Sequence, residues 1–251
     1  MKALLLGLLL LLSPDYNVPF RPPTTSSTCA ASPSTANCLY YQDFETGGAT
    51  TDCTAEDPVM SSGGDCAYTT SPAPLDGSQS ANINDLLRDE SAFTGVDTIY
   101  GYMKIVVVDN GTDGGDVEMF RFLNGASTTS PRIRLGSRVF PDQFRFRFYC
   151  DEEFDGEGIS YTAESNLFGG ADEIEMWWNL NRLTQAGELK VVGGSECPTA
   201  ATAGCTLTCD GDGAETTSAV DGFSFPTSGT LDGTYIVDTI ILDDVGVPNQ
   251  P

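Results

Sequence analysis

Glu173 and Glu175 stand two residues apart in the run Asp172-Glu173-Ile174-Glu175-Met176-Trp177, which alternates between polar and apolar side chains. Alternate residues of a strand share a face and lie ~6.5–7 Å apart, so the two carboxylates project from one side. Carboxylates ~5–5.5 Å apart hydrolyse glycosidic bonds with retention, and this pair has a spacing compatible with that chemistry. Composition narrows the other routes. The chain has no histidine, which removes the commonest general base, the commonest zinc ligand and every Ser-His or Cys-His nucleophile. Catalysis would have to rest on carboxylates, tyrosine, lysine or arginine.

The arginines are unevenly placed. Six lie between positions 121 and 147, namely Arg121, Arg132, Arg134, Arg138, Arg145 and Arg147. Arg132 and Arg134 alternate with Ile133 and Leu135; Arg145 and Arg147 alternate with Phe144, Phe146 and Phe148. Two strands therefore present arginine on their non-core side. The expectation is one sheet face shared by these arginines with Glu173, Glu175 and an exposed Trp177. Two readings of that face stay open. One is cross-strand charge pairing, worth ~0.2–1 kcal/mol per pair. The other is a concave surface on which Trp177 stacks against a sugar ring. Arg132, Arg134, Arg145, Arg147, Glu173 and Glu175 would then hold hydroxyls or acidic groups.

These residues need strands to position them, and the patterning supplies strands. Residues 100–108, 117–123, 131–135, 143–149, 173–180, 187–192, 220–225 and 235–247 are rich in β-branched and aromatic residues or alternate with period two. Gly-rich turns such as Asn110-Gly111 and Asp113-Gly114-Gly115 separate them. No stretch makes a convincing amphipathic helix, although residues 83–90 are expected to form one helical turn. Many short strands with little helix imply an all-β sandwich or barrel. No fixed-period repeat points to a propeller or solenoid. Asn110-Gly111-Thr112 is also a glycosylation sequon, and Cys209-Asp210-Gly211-Asp212-Gly213 reads as a plain acidic turn.

The net charge of −24 over 251 residues opposes binding to nucleic acid or an anionic membrane surface. Met1, Lys2 and the apolar run from Ala3 to Leu12 form an export-signal pattern. That run is too short to span a bilayer, which takes ~20 residues, so no transmembrane span is expected. No small-x-small cleavage site follows Leu12. Residues 1–13 are thus read as a signal-like segment and 14–38 as a Pro/Ser/Thr-rich arm, with 39–247 as one domain. The arm is a candidate for self-assembly by adding a strand to a neighbouring sheet. Cys29, Cys38, Cys53, Cys66, Cys150, Cys197, Cys205 and Cys209 make an even count of 8, which suits disulfides in a secreted protein. The simplest pairing joins Cys29 to Cys38 and Cys53 to Cys66, with Cys150 bonded into the last cluster.

Three motifs recur in order. Phe44-Glu45-Thr46-Gly47 lies near the first strand, Leu75-Asp76-Gly77-Ser78-Gln79-Ser80 enters the next, and Ile240-Ile241-Leu242-Asp243-Asp244-Val245 closes the chain. Together they resemble the laminin G-like and concanavalin A-like jelly rolls of secreted bacterial, phage and environmental proteins. The resemblance implies a two-sheet antiparallel jelly-roll sandwich. Its members include glycan-binding modules, adhesins, virion parts and some glycanases. Carbohydrate-binding modules of this shape hold a structural calcium between first and last strands. Carried over, its ligands here would be Asp43, Glu45, Asp243 and Asp244, and calcium does take such hard oxygen donors. The run from Glu173 also resembles the E-[I/L]-D-x-x-E strand motif of laminarinase-like hydrolases. It departs from that motif at Glu175, which replaces the central Asp, and at Trp178, which replaces the last carboxylate.

The expectation is therefore a secreted, non-catalytic, lectin-like β-sandwich whose partner is a carbohydrate or cell-surface polymer, stabilised by calcium. The alternatives are a structural subunit of an extracellular filament, sheath or virion, and a glycoside hydrolase using Glu173 and Glu175.

Overall fold

A computed structural model of the chain describes residues 38–42, 44, 66–70, 78–83, 87–89, 94–110, 117–124, 127–136, 143–149, 163–166, 168–170, 172–181, 183, 186–209, 219–225 and 233–246. The signal-like segment, residues 14–37 of the arm, Asp43, Glu45, Cys29, Cys53 and Cys150 lie outside them. Every regular element described is a strand. In chain order these are β1 (Cys38–Gln42), β2 (Cys66–Thr69), β3 (Ser80–Ile83), β4 (Leu87–Asp89), β5 (Thr98–Asn110), β6 (Val117–Asn124), β7 (Ser127–Gly136), β8 (Gln143–Tyr149), β9 (Ala163–Glu164), β10 (Phe168–Gly169), β11 (Glu173–Asn181), β12 (Ala186–Gly193), β13 (Thr206–Cys209), β14 (Gly222–Phe225) and β15 (Gly233–Asp243). The helical turn expected at 83–90 is replaced by the end of β3 and by β4. Leu87, Arg88 and Asp89 pair there with β14, and a sheet edge outweighs a single turn that no neighbouring helix would extend. Among the described residues no helix is long and apolar enough to cross a membrane.

The strands form two sheets. The first has eight strands in the order β13-β12-β11-β5-β15-β3-β2, with β1 also paired to β15. The second has seven, in the order β10-β8-β7-β6-β14-β4, with β9 paired to β8. All pairings are antiparallel. The chain passes between the sheets repeatedly, and its pairs nest: β4 with β14 inside β3 with β15, then β6 with β14 inside β5 with β15. This is a jelly-roll sandwich, built as a long folded ribbon.

Period-two patterning explains the core between the sheets. Phe144, Phe146 and Phe148 of β8 are buried, as are Ile174, Met176, Trp178 and Leu180 of β11. Phe144, Phe146 and Phe168 form a three-ring cluster with centroids 5.5–5.8 Å apart, within the range in which aromatic pairs attract. Phe44, from the opening motif, is fully buried in the same core. Its backbone takes a left-handed φ of 57°, an uncommon state for a bulky residue. Hydrogen bonds secure it: its N–H donates to Gln42 Oε1 at 3.0 Å, and its carbonyl accepts from Gln79 Nε2 at 2.8 Å. The first and second motifs are thereby joined.

A bulge in β15 sets the faces of its last turn of sequence. The register shifts between Asp238 and Ile240. Asp238 is 1% exposed, and its carboxylate accepts from the N–H and hydroxyl of Thr239 at 2.8 and 3.2 Å and from Ser80 Oγ at 2.9 Å. A buried carboxylate supplied with three donors is tolerable where a bare one is not. The bulge lets Ile240 and Leu242 face the core while Ile241 joins the opposite, outer face.

Candidate functional site

The outer face of the first sheet carries a continuous cross-strand row. Backbone register aligns Tyr41 with Ile241, Ile241 with Tyr102, Tyr102 with Trp177, Trp177 with Lys190, and Lys190 with Thr206. The row runs from aromatic and aliphatic side chains at β1, β15, β5 and β11 to a cation and a hydroxyl at β12 and β13. Trp177 and Ile241 form a second buried cluster, packed with Tyr41, Tyr100, Tyr102, Val192 and Cys38. The Tyr102 and Trp177 rings lie 5.2 Å apart at 48°.

Glu173 and Glu175 sit on this same face, as the alternation required. Lys104 Nζ lies 2.7 Å from Glu173 Oε1. Tyr102 donates its hydroxyl proton to Glu175 Oε2 at 3.2 Å. Each carboxylate thus has its own partner on β5. The stacking platform expected of Trp177 is corrected: the indole is 4% exposed, because the tyrosines beside it close over its ring. The alternation placed Trp177 off the main core, and a second, smaller apolar cluster buries it there.

At the polar end of the row is a cleft of about 430 Å³, lined by Lys190, Thr199, Ala200, Ala201 and Thr206. This volume lies in the range of small-ligand sites. Lys190 and Thr206 form the floor. The wall is the loop between β12 and β13, closed by a disulfide from Cys197 to Cys205. The loop is fixed from several sides. Thr206 Oγ1 donates to the Ala200 carbonyl at 2.8 Å, and Asn166 Nδ2 donates to the carbonyls of Ala203 and Glu196 at 2.8 and 3.2 Å. Lys190 Nζ lies 3.6 Å from Glu188 Oε1. The cleft is lined by an ammonium-bearing side chain, two threonines and small apolar side chains. Most of its lining is apolar, and Lys190, Thr199 and Thr206 supply its polar groups.

Sequence reasoning did not single out Lys190, Thr199 or Thr206. The available signals were Lys190 at an outward position between Leu189 and Val191, and the close spacing of Cys197 and Cys205. The expected bond from Cys150 into that cluster cannot involve Cys197 or Cys205, which bond to each other across a separation of eight. Cys38 is also disulfide-bonded.

The shared arginine face is corrected as well. Arg132, Arg134, Arg145 and Arg147 belong to β7 and β8 of the second sheet, whereas Glu173, Glu175 and Trp177 belong to β11 of the first. Their outer faces lie on opposite sides of the sandwich. Alternation reveals which side of its own sheet a residue takes, and says nothing about which sheet that is.

Of the four expected calcium ligands, Asp243 and Asp244 are described. Asp243 Oδ1 accepts the N–H groups of Val245 and Gly246 at 2.6 and 2.9 Å, closing the turn after β15. Burial raises the Asp243 carboxyl above its ordinary 3.8, the neighbouring Asp244 adds to this, and the two N–H bonds oppose it. Asp244 Oδ1 is buried without a hydrogen-bond partner, and such an oxygen fits a cation ligand. Among the described residues no three Asp, Glu or Cys side chains converge on a metal-sized site.

No protein-family model matches the chain, and no curated protein matches it in sequence. Similar solved structures exist. A carbohydrate esterase from Shiga toxin-encoding bacteriophage phi24B is 11% identical, with 82% of this chain and 98% of that chain covered and a TM-score of 0.49. A GH131 β-glucanase catalytic domain from Podospora anserina is 11% identical, covering 82% and 95%, with a TM-score of 0.45. An alginate lyase from Pseudomonas aeruginosa is 10% identical, covering 74% and 84%, with a TM-score of 0.43. Likeness at this level concerns the strand framework, and no correspondence of site residues follows from it.

Proposed function

We propose that the protein is a secreted, non-catalytic, glycan-binding β-sandwich of the laminin G-like and concanavalin A-like kind, serving attachment to a carbohydrate or cell-surface polymer. The observation that carries this reading is the cleft of about 430 Å³ that gathers Lys190, in register with Trp177, with Thr199 and Thr206. Sugar hydroxyls need donors and acceptors at fixed positions, and the disulfide-closed loop holds them fixed. The acids on the same face support a binding role: Glu173 is engaged by Lys104 and Glu175 by Tyr102. Secretion is supported by the signal pattern and by the disulfide at Cys197 and Cys205.

Calcium belongs to this proposal as a structural ion. Asp244, through its unpartnered buried oxygen, and Asp243 would hold it together with Asp43 and Glu45. The ion would join the first strand to the last and supply charge compensation there. Differential scanning calorimetry tests this part. Calcium should raise the melting temperature of the parent by several degrees, in line with ligand-linked stabilisation, and should leave Asp244→Asn unmoved. An equal shift in both rejects the site.

The test of the binding role is a glycan array probed with the full chain, followed by titration of the best ligand. Lys190→Ala and Thr206→Val should each weaken binding at least about fivefold, as expected for loss of a hydrogen bond worth ~1 kcal/mol. Reducing-sugar release should stay at background. A uniform array response, or variants that bind like the parent, would refute the cleft.

A further inference from the structure

Thr206 lines the cleft as an acceptor. A threonine hydroxyl has a single proton, and here that proton is donated to the Ala200 carbonyl at 2.8 Å. The oxygen keeps lone pairs when its proton is committed. Thr206 Oγ1 can therefore receive an N–H from a ligand and has no proton to give it. The same bond holds Ala200, in the loop, against β13.

The apolar part of the lining is made of methyl groups. Ala200 and Ala201 line the cleft beside Thr199, and the loop that carries them is folded into successive turns. Thr202 donates its N–H to the Thr199 carbonyl at 3.1 Å, and Cys205 donates to the Thr202 carbonyl at 3.0 Å. The Thr199 and Thr202 hydroxyls lie 3.2 Å apart. On the floor, register sets Lys190 directly across from Thr206, and such a pair carries its Cβ atoms ~4.5–5.5 Å apart. The Lys190 ammonium pairs with Glu188 at 3.6 Å; an ammonium has three donors, so that pairing is compatible with a further acceptor.

An acceptor for an N–H, a cationic donor beside it and a small apolar wall complement one chemical group, the acetamide. Its N–H would meet Thr206 Oγ1, its carbonyl oxygen Lys190 Nζ, and its methyl Ala200 and Ala201. A plain sugar hydroxyl uses only the polar half of this set. An O-acetyl ester presents the methyl and the carbonyl without the N–H.

We propose that the cleft recognises the N-acetyl group of a 2-acetamido sugar, so that the glycan bound by this protein contains an N-acetylhexosamine. This rests on the binding role proposed for the cleft and names its ligand class.

The experiment titrates the full chain with methyl glycosides and follows its amide signals. The probes are N-acetylglucosamine and N-acetylgalactosamine, their glucose and galactose counterparts, and the 2-O-acetyl forms of those counterparts. At least one acetamido sugar should bind about tenfold or more tightly than its hydroxyl counterpart, since one fitted group in an apolar pocket changes affinity ~10–200-fold. It should exceed the ester at least about fivefold, as expected for one hydrogen bond. Thr206→Val should bring amide and ester to about equal affinity. Ala201 is exposed and its side chain makes no hydrogen bond, so Ala201→Leu should fold even if Thr206→Val does not. That variant should lose at least about tenfold for the acetamido sugar.

Equal affinity for acetamido and hydroxyl sugars, with shifts at the Lys190 and Thr206 amides, would overturn the acetamide assignment and leave the cleft as a glycan site. Ester binding as tight as amide binding, or an undiminished preference in Ala201→Leu, would also overturn it. If neither these sugars nor the best array ligand shifts those amides, the cleft reading falls together with this inference.

Discussion

Trp177 and Trp178 are adjacent in the chain and serve opposite faces of one strand. Trp178 is fully buried in the core between the sheets; Trp177 lies on the outer face, 5.2 Å from Tyr102. Their register partners differ accordingly. Trp178 stands between Gly101 and Leu189, and Trp177 between Tyr102 and Lys190. One strand thereby anchors the sandwich with one indole and backs the candidate cleft with the other.

Gly101 makes room for Trp178. A Cβ built at Gly101 would overlap the indole ring, and both residues lie in strands at the centre of the first sheet. Gly101→Ala should therefore destabilise the protein by about 1–3 kcal/mol, the usual cost of overpacking. Urea unfolding followed by tryptophan fluorescence measures it. Unchanged stability would mean that the indole does not lie over that glycine.

The Cys197–Cys205 bond closes the cleft wall over a sequence separation of eight. Chain-entropy arguments put the loss on removing so short a crosslink at about 2.5 kcal/mol. A Cys197→Ser/Cys205→Ser variant should lose about that much stability. It should also bind glycan more weakly than its remaining folded fraction explains, because Thr199, Ala200 and Ala201 would no longer be held. Equal affinity per folded molecule would separate the loop from the site.

Asp243 sets a pH dependence. Burial raises its folded-state carboxyl above 3.8, so the folded chain favours the protonated form relative to the unfolded chain. That contribution is complete below the ordinary carboxylate value and is lost as pH rises through the raised one. Asn at this position keeps an oxygen for the Val245 and Gly246 N–H groups and cannot ionise. In calcium-free buffer, Asp243→Asn should gain stability relative to the parent as pH rises above about 4, then level off. A difference that stays flat or reverses with pH contradicts this account.

Much of the framework was legible because buried faces impose period two. The run of alternating Phe and Arg is β8, and the run from Glu173 is β11, with the faces assigned as the alternation required. The expected strands at 117–123, 187–192 and 235–247 correspond closely to β6, β12 and β15. Sheet membership was not legible. Trp177 and Arg147 each occupy an outer position of a half-apolar strand, and nothing local distinguishes one sheet from the other. Long-range pairing decides it: β11 adds to β5, while β8 adds to β7. The burial of Trp177 was missed for the same reason, since Tyr41, Tyr102 and Ile241 reach it from strands distant in the chain. The cleft depends on Lys190 meeting Thr206 and on a loop of small residues, whose composition alone signals only a turn.

The most direct test of the central claim is amide chemical-shift mapping of the full chain titrated with its best array ligand. The account predicts perturbations concentrated on β11, β12, β13 and residues 199–206, around Lys190 and Thr206, with little change on β6, β7 and β8. Perturbations confined to the second sheet, or none at saturating ligand, would contradict it.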